Sequence, residues 1–210
     1  MKKKILFIAL FILPLLKIIM HSMVNAYPKE ENITHKSFFG FKIDLPKTYI
    51  AVNKNNIDEL KKLKNLDPGF LDKFKLGVKI KNQEIYLDKN NLSKNGFTDR
   101  ISLTYENYNY EDEFYSIYNN ELEKACADFT DVYRKSFRTV EKCYYIKYNN
   151  NKAFNLMGKS SKDIFYYQVY YLFKNKTMIF TLTCQNNCEK MVKDLTKIVY
   201  SIEENNKINT

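Results

Sequence analysis

The chain has 210 residues and a formal net charge of +10. Four of its 34 basic residues and none of its 24 acidic residues lie in positions 1–26, so the rest of the chain carries only +6. The length of that remainder fits one domain, and so small a positive excess gives no support for a nucleic-acid partner. The abundant Lys, Asn, Ile, Tyr and Phe share A/T-rich codons, which accounts for much of the lysine. We expect at most weak contact with an acidic membrane surface.

The start of the chain, positions 1–26, has the three parts of a secretory signal peptide. Three lysines follow Met1, residues 5–16 are apolar, and small residues stand at Val24 and Ala26. The apolar run of 12 residues is shorter than the ~20 residues that a membrane span needs. We therefore predict cleavage after Ala26 and a periplasmic or secreted protein with no transmembrane anchor. Retention of this segment as an uncleaved anchor stays open.

The remaining chain is expected to comprise a polar lead-in (27–36), one globular α+β domain (37–202) and a disordered tail (203–210). Alternating apolar residues predict a strand at 38–45 that ends at Pro46. Two short helices are expected between residues 56 and 76, with Asp67 as an N-cap and Gly77 as the stop. Further strands are predicted at 83–88 and 99–106.

The second half of the chain predicts two hairpins between two helices. Helical spacing of apolar residues marks 114–129 and 187–202, and Asn186 with Glu189 approximates a capping box for the second helix. Strands are expected at 144–148, 153–157, 164–173 and 177–184. The third of these is apolar on both sides, so its hairpin should lie centrally and be covered on both faces. The predicted fold is therefore an antiparallel β-sheet with helices packed on both faces, an α-β-α sandwich.

Residues 39–46, with the sequence FGFKIDLP, together with Tyr49 and the closing aromatic hairpin and amphipathic helix, resemble the fold group of PsbP, the extrinsic protein of photosystem II. The resemblance covers the two ends of the chain. It implies an α-β-α sandwich whose members are mostly non-catalytic accessory or assembly proteins. The chain differs in having four cysteines and no tryptophan, and it matches no functional residue of the group.

The sequence offers no residue set for a named chemistry, so we predict no catalytic, cofactor-binding or metal-binding residue. His35 is the only histidine after position 26 and lies in the polar lead-in, where we expect a solvated side chain. Residues 158–161, with the sequence GKSS, lack the first glycine of a phosphate-binding loop and are expected to form a polar turn. The leading hypothesis is an exported non-enzymatic binding or accessory protein of the bacterial envelope. An exported enzyme that uses carboxylates or a thiol is the alternative.

Tyrosine is the residue type that could form a binding surface, because it combines apolar area with a polar tip. The candidate surface consists of a cluster between two predicted elements: Tyr105, Tyr108, Tyr110, Tyr115 and Tyr118. Its partner would be an unknown envelope protein or a small ligand. The competing interpretation is that these rings belong to the core. In the crowded strand near residue 170, Tyr170 and Tyr171 should face opposite sides.

Four cysteines in an exported domain favour two disulfides. Four cysteines allow three pairings, and we expect Cys126 with Cys143 and Cys184 with Cys188. The first pair would join the end of the central helix to the next strand. The second would join a strand end to the first turn of the last helix. A redox-active Cys188 at that helix N-terminus is the alternative.

Overall fold

A computed structural model describes residues 31–63, 66–92, 97–106, 124, 126–128, 131, 138–148, 151–160, 163–173 and 176–204. The chain divides into Met1–Glu31 and Asn32–Thr210, and every described residue except Glu31 belongs to the second unit. The predicted signal peptide, most of the predicted central helix and residues 205–210 therefore lie outside the described residues.

Ten strands, two α-helices and two short 3-10 helices are formed by the described residues. The strands are β1 (Asn32–Lys36), β2 (Phe41–Pro46), β3 (Tyr49–Val52), β4 (Gln83–Asp88), β5 (Arg100–Glu106), β6 (Arg138–Tyr148), β7 (Asn151–Ser160), β8 (Phe165–Phe173), β9 (Lys176–Cys184) and β10 (Glu203–Glu204). The α-helices are α1 (Pro68–Lys81) and α2 (Cys188–Tyr200), and the 3-10 helices are Ile57–Lys62 and Lys89–Asn91. Within the described part of the chain, no helix is long and apolar enough to cross a membrane.

The strands form two sheets in which every neighbouring pair is antiparallel. The smaller sheet has the order β1-β2-β10, and the larger has the order β3-β4-β5-β9-β8-β7-β6. The fold is therefore mainly antiparallel β-sheet with a few helices, within the predicted α+β class. The hairpin of β8 and β9 lies in the middle of the larger sheet, as its apolar sequence predicted.

Several local expectations were wrong where a strand lacks an apolar pattern. The polar lead-in contains β1, which pairs with β2 along all five of its residues. The expected polar turn at 158–160 is the end of β7, and part of the expected tail forms β10 against β2. Backbone pairing with an existing edge needs no alternation of side chains, so these strands are hard to recognise from sequence.

The helix α1 begins as predicted but ends later. The Asp67 side chain accepts a hydrogen bond from the Phe70 backbone N–H at 2.7 Å, which confirms the N-cap. Gly77 does not stop the helix, which continues to Lys81 and ends at Asn82 in the left-handed conformation (φ 48°). A glycine inside a helix costs only about 1 kcal/mol relative to alanine, and the burial of Val78 in the next position outweighs that cost.

Two core clusters account for most of the buried apolar side chains among the described residues. The main cluster joins Leu195 and Ile198 of α2 to Leu103 and Phe180 of the larger sheet and to residues of β2. A second cluster joins apolar residues of α1 and the first 3-10 helix to the strands β3 and β4: Val52, Ile57, Leu60, Phe74, Val78, Ile85 and Leu87. Successive strand residues point to opposite sides, so β4 supplies Tyr86 to the main cluster and its neighbours to the second.

The two disulfides of the structure are the pairs expected from the sequence. Cys126 is bonded to Cys143, and Cys184 is bonded to Cys188. The second bond links the end of β9 to the first residue of α2. Each bond limits the conformations open to the unfolded chain, and the effect is larger for the 17-residue separation than for the 4-residue one.

Candidate functional site

A buried carboxylate, Glu84 of β4, is the centre of a polar cluster that links β1 to the larger sheet. Its oxygens accept hydrogen bonds from Ser37 Oγ (2.5 Å), His35 Nε2 (2.9 Å), Tyr86 OH (2.9 Å) and the Phe38 backbone N–H (3.1 Å). The Glu84 side chain is 0% exposed, and that of His35 is 25% exposed. The expectation of a solvated His35 was wrong, because β1 carries this residue to the carboxylate of the larger sheet.

The hydrogen bonds of the Glu84 cluster stabilise a buried negative charge and do not activate a nucleophile. Ser37 and His35 both contact the carboxylate, whereas nucleophilic catalysis needs the serine to donate to the histidine. Burial raises the pKa of Glu84, but the hydrogen bonds from His35 and Ser37 and the nearby His35 outweigh it, so the pKa lies below its usual value. Burial and the adjacent carboxylate raise the pKa of Tyr86. The cluster therefore joins the β1–β2 segment to β4.

A second buried carboxylate, Asp99, caps the helix α2. Its oxygens accept hydrogen bonds from the backbone N–H groups of Gln185 (2.7 Å), Asn187 (3.3 Å) and Asn186 (3.4 Å). The predicted capping box was wrong, since the N-cap residue Asn187 makes no side-chain cap bond. Asp99, 86 residues before Gln185 in sequence, accepts from the backbone N–H groups at this end of the helix instead. Its negative charge lies near the positive end of the α2 dipole.

The tyrosines that the structure describes lie mainly in the core, which favours the competing interpretation for this residue type. Tyr148, Tyr167 and Tyr171 are each no more than 2% exposed. The hydroxyls of Tyr148 and Tyr167 both donate to Asn155 Oδ1, at 3.3 and 2.8 Å, and Tyr144 OH lies 3.1 Å from Tyr167 OH. Burial is the largest cause of the raised pKa of Tyr167. The network therefore supplies hydrogen-bond partners to the hydroxyl groups of the buried tyrosines.

Of the predicted tyrosine surface, the structure describes only Tyr105. Its ring is half-buried, packs on the main core cluster and lies 5.5 Å from the ring centroid of Phe39. The other four members lie outside the described residues: Tyr108, Tyr110, Tyr115 and Tyr118. Of the pair predicted to face opposite sides, Tyr171 belongs to the main cluster and Tyr170 packs against a third cluster with Cys126 and Cys143. The alternation predicted there is confirmed.

A cavity of about 330 Å³ lies between α1 and the strands β4 and β5. Its lining comes from three neighbouring segments: Phe70, Phe74 and Gly77 of α1, Gln83 and Ile85 of β4, and Phe97 and Arg100 at the start of β5. This volume is at the lower end of the range of roughly 300–1,000 Å³ that is usual for small-molecule sites. A mostly apolar wall with a few polar groups is also the usual composition of such sites.

Arg100 packs against two aromatic rings of the cavity wall. The guanidinium carbon lies 5.7 Å from the centroid of the Phe70 ring and 5.6 Å from that of Phe97, within cation–π range of both. One guanidinium nitrogen also donates to the Thr98 carbonyl at 3.3 Å. The rings of Phe70 and Phe74 are 5.1 Å apart and form a continuous aromatic surface on α1.

Gly77 leaves a space in the cavity wall that no atom of the described residues fills. A Cβ placed on this residue would meet no atom within 4 Å. By contrast, a Cβ on Gly158 would overlap the Thr139 carbonyl oxygen and the Tyr166 ring, so packing requires glycine there. Packing within the described residues gives no such reason for Gly77, which costs helix stability without relieving a clash.

The same face of the sheet continues from the cavity as a polar strip. Ser102 of β5, Thr181 of β9 and Gln168 of β8 are side by side in the strand register. Thr104 of β5 lies opposite Gln83 of β4. The Gln83 amide donates to Thr104 Oγ1 at 3.2 Å, and the Gln168 amide donates to Thr181 Oγ1 at 3.1 Å. The Gln83 side chain in the cavity wall is therefore held by the Thr104 hydroxyl.

The sequence alone does not identify this cavity, because a glycine at position 77 is equally typical of a helix stop. The signal that could have found it is the spacing, since Phe70, Phe74 and Gly77 stand at i, i+4 and i+7 on one helical stripe. A glycine in place of an apolar residue on such a stripe indicates a gap in packing. Arg100 gives no comparable signal, because its aromatic neighbour Phe70 belongs to α1, well before it in the chain.

Comparison with solved structures finds distant matches. A solution structure of cyanobacterial PsbP (CyanoP) from Synechocystis is 10% identical, with a TM-score of 0.48, over 85% of this chain and 95% of that chain. A crystal structure of a Pseudomonas aeruginosa protein of unknown function is 12% identical, with a TM-score of 0.37, over 80% and 94% of the two chains. No protein-family model and no curated protein matches the chain. The distant PsbP-like resemblance expected from the sequence is present in the structure.

Within the described residues, no group of three or more His, Cys, Asp and Glu side chains is placed to hold a metal ion. The cavity beside α1 combines an apolar wall with polar groups, as ligand sites do, whereas the two buried carboxylates join elements of the fold.

Proposed function

We propose that the chain is an exported, non-enzymatic binding protein that takes a small ligand into the cavity beside α1. The observation that carries this proposal is the unfilled space at Gly77, in a wall otherwise built of aromatic rings. A helix with glycine at this position is less stable than the same helix with alanine by about 0.5–1 kcal/mol. A ligand that approaches the helix backbone would supply the reason for that loss.

Export to an oxidising compartment, periplasmic or extracellular, is the second part of the proposal. The basic and apolar start of the chain and the two disulfides support it. We further propose that 37–202 is the core of a single domain with helices on both faces of the larger sheet. The attachment of α2 to the main cluster and of α1 to the second cluster supports that layering. N-terminal sequencing of the exported protein should begin at Tyr27, and recovery of residues 1–26 in the membrane fraction would contradict cleavage.

Native mass spectrometry of the protein purified from its own source tests the binding function. We expect the folded wild-type protein to carry an additional small-molecule mass that is lost on unfolding. Gly77→Leu, which places a side chain in the cavity, should carry none. Leu76→Ala is the matched control, because Leu76 is 62% exposed on the same helix and does not line the cavity. Wild-type protein without any additional mass, or equal retention by Gly77→Leu, would contradict the proposal.

The variant Gly77→Ala separates stability from binding. The added methyl group meets no atom, so helix propensity alone should raise the free energy of unfolding by about 0.5–1 kcal/mol. The same methyl group should weaken ligand binding by narrowing the cavity. If the variant becomes more stable and binds as well as wild type, the space at Gly77 has no role in binding.

A further inference from the structure

The helix α1 carries a large share of the positive charge of the chain. It contains four lysines and one acidic residue, Asp72, which gives it a formal charge of +3. The residues after position 26 carry +6 in total, so this helix supplies half of that excess in 14 residues. Codon bias raises the number of lysines throughout the chain. It does not explain why this helix lacks the acidic residues that balance lysines elsewhere.

The other helices described balance their lysines with acidic residues. In α2, Lys190 pairs with Asp194 at 2.8 Å and Lys193 pairs with Glu189 at 3.1 Å, each four residues apart. The two lysines in the last turn of the first 3-10 helix likewise pair with acidic residues three positions before them. With one acidic residue for four lysines, α1 cannot be neutralised in this way. A local excess of positive charge attracts an anionic surface.

The outer side of α1 also presents an apolar side chain to solvent. Leu76, in the second half of the helix, is the most exposed large apolar side chain among the described residues, at 62%. Phe74 and Val78 are buried in the second core cluster and mark the opposite side of the helix. Residues three positions apart are neighbours on a helix surface, so Lys73 and Lys79 flank Leu76 along α1.

A leucine between lysines suits the interface of a lipid bilayer. The leucine can enter the boundary of the acyl chains, while the long lysine stems keep their charges at the level of the headgroups. We propose that α1 docks on an anionic bilayer through the face that carries Leu76. An acidic polysaccharide would satisfy the lysines but would leave the leucine in water, which favours the bilayer as the partner.

The proposed contact is reversible and separate from the cavity. One leucine and a few lysines give an attraction that salt weakens, and they do not give the permanent insertion of a membrane span. This agrees with the weak membrane contact expected from the small net charge of the chain. Leu76 does not line the cavity beside α1, so the docking surface goes beyond the proposed ligand-binding function and does not depend on it.

Co-sedimentation of the exported protein with vesicles tests the docking surface. One set of vesicles is phosphatidylcholine alone, and the other contains roughly one third phosphatidylglycerol, which adds negative charge. At low ionic strength we expect partition onto the anionic vesicles to exceed that onto the neutral ones at least about tenfold, because several lysines contribute. The preference should disappear at about 0.5 M salt, where screening limits the reach of each charge to a few ångström.

Variants assign the binding to α1. Lys73→Gln/Lys79→Gln should weaken binding to the anionic vesicles by about tenfold or more. Lys42→Gln/Lys147→Gln removes the same charge from two exposed strand positions, and it should bind within about twofold of wild type if those positions lie beyond the screening distance of the bilayer. Leu76→Ala should weaken binding by about fivefold or more and leave its salt dependence unchanged. A circular dichroism melt of each variant checks that it is folded.

Three outcomes would overturn the proposal. Equal partition onto neutral and anionic vesicles would exclude the electrostatic attraction. Equal weakening in the two double lysine variants would show that net charge matters and that α1 does not. Wild-type binding by Leu76→Ala, together with a loss in Lys73→Gln/Lys79→Gln, would mean a purely electrostatic contact and would exclude insertion into a bilayer. Each of these results leaves the cavity function to its own test, the retention of a small molecule.

Discussion

Replacement of Glu84 by glutamine removes the charge from the polar cluster beneath β1 while keeping the shape of the side chain. The carboxylate accepts from four groups, and the side chain is fully buried. In glutamine, an NH2 group replaces one of the two carboxylate oxygens. This hydrogen-bond donor would face the other donors of the cluster. A hydrogen bond to a charged group contributes about 1.5–3 kcal/mol, and breaking a buried pair costs about 3–5 kcal/mol. Because His35 is 25% exposed and can regain water, we expect Glu84→Gln to lower the free energy of unfolding by about 3 kcal/mol.

The effect should depend on pH in a direction that follows from the lowered pKa of Glu84. A carboxylate with a lower pKa in the folded state stabilises the fold fully above its unfolded pKa, near 4.3. That contribution is lost as the pH falls through the folded pKa. The difference between wild type and Glu84→Gln should therefore be smaller at pH 3 than at pH 5.

Urea unfolding at pH 7, 5 and 3 measures both quantities. At pH 7 the loss of about 3 kcal/mol corresponds to a fall in melting temperature of about 6–12 °C for a domain of this size. Glu189→Gln is the matched control, since its side chain is 88% exposed and pairs with Lys193 on the surface of α2; its change should stay within about 0.5 kcal/mol. A Glu84→Gln protein as stable as wild type at pH 7, or a difference that persists unchanged at pH 3, would refute this account of the cluster.

Three further substitutions test other parts of the fold by urea unfolding. Asp99→Ala should lower the free energy of unfolding by about 2 kcal/mol or more, because it leaves the N–H groups before α2 without their acceptor. Asp72→Ala, at an exposed position, should leave this free energy nearly unchanged. Equal effects would show that the cap is unimportant. Gly158→Ala should cost at least about 2 kcal/mol through overlap with the neighbouring strand, and a neutral result would place this part of β7 differently. Tyr171→Ala should cost about 3 kcal/mol or more, and Tyr170→Ala less, since Tyr171 is 0% exposed and Tyr170 is half-buried; the reverse order would mean that the strand faces are exchanged.

The order of elements could be predicted wherever hydrophobic period and turn chemistry agree. The strands at Gln83–Asp88 and Arg100–Glu106, the helix start at Asp67 and the hairpin that ends at Cys184 follow from such patterns. Local spacing also favoured joining Cys184 to Cys188, because both lie at the boundary between one strand and the next helix.

The polar contacts could not be predicted, because their partners are far apart in sequence. Glu84 follows the polar Gln83 at the start of β4 and has no local sign of burial. The pairing of β1 with β2 brings His35 to it. Asp99 lies before a strand with no local sign that it caps α2. The cavity needs the register of β4 with β5 and the late end of α1, and both depend on packing that one sequence does not display.

The location of a bound ligand tests the central claim most directly. In a protein labelled at isoleucine δ1 methyl groups, titration with the co-purified small molecule should shift the signal of Ile85, which lines the cavity. The signal of Ile198, which belongs to the main core cluster under α2, should stay in place. Saturable shifts of Ile85 that disappear in Gly77→Leu are the predicted result. An unmoved Ile85 signal at a saturating concentration of that molecule, or a shift at Ile198 in its place, would contradict the assignment of the binding site to the cavity beside α1.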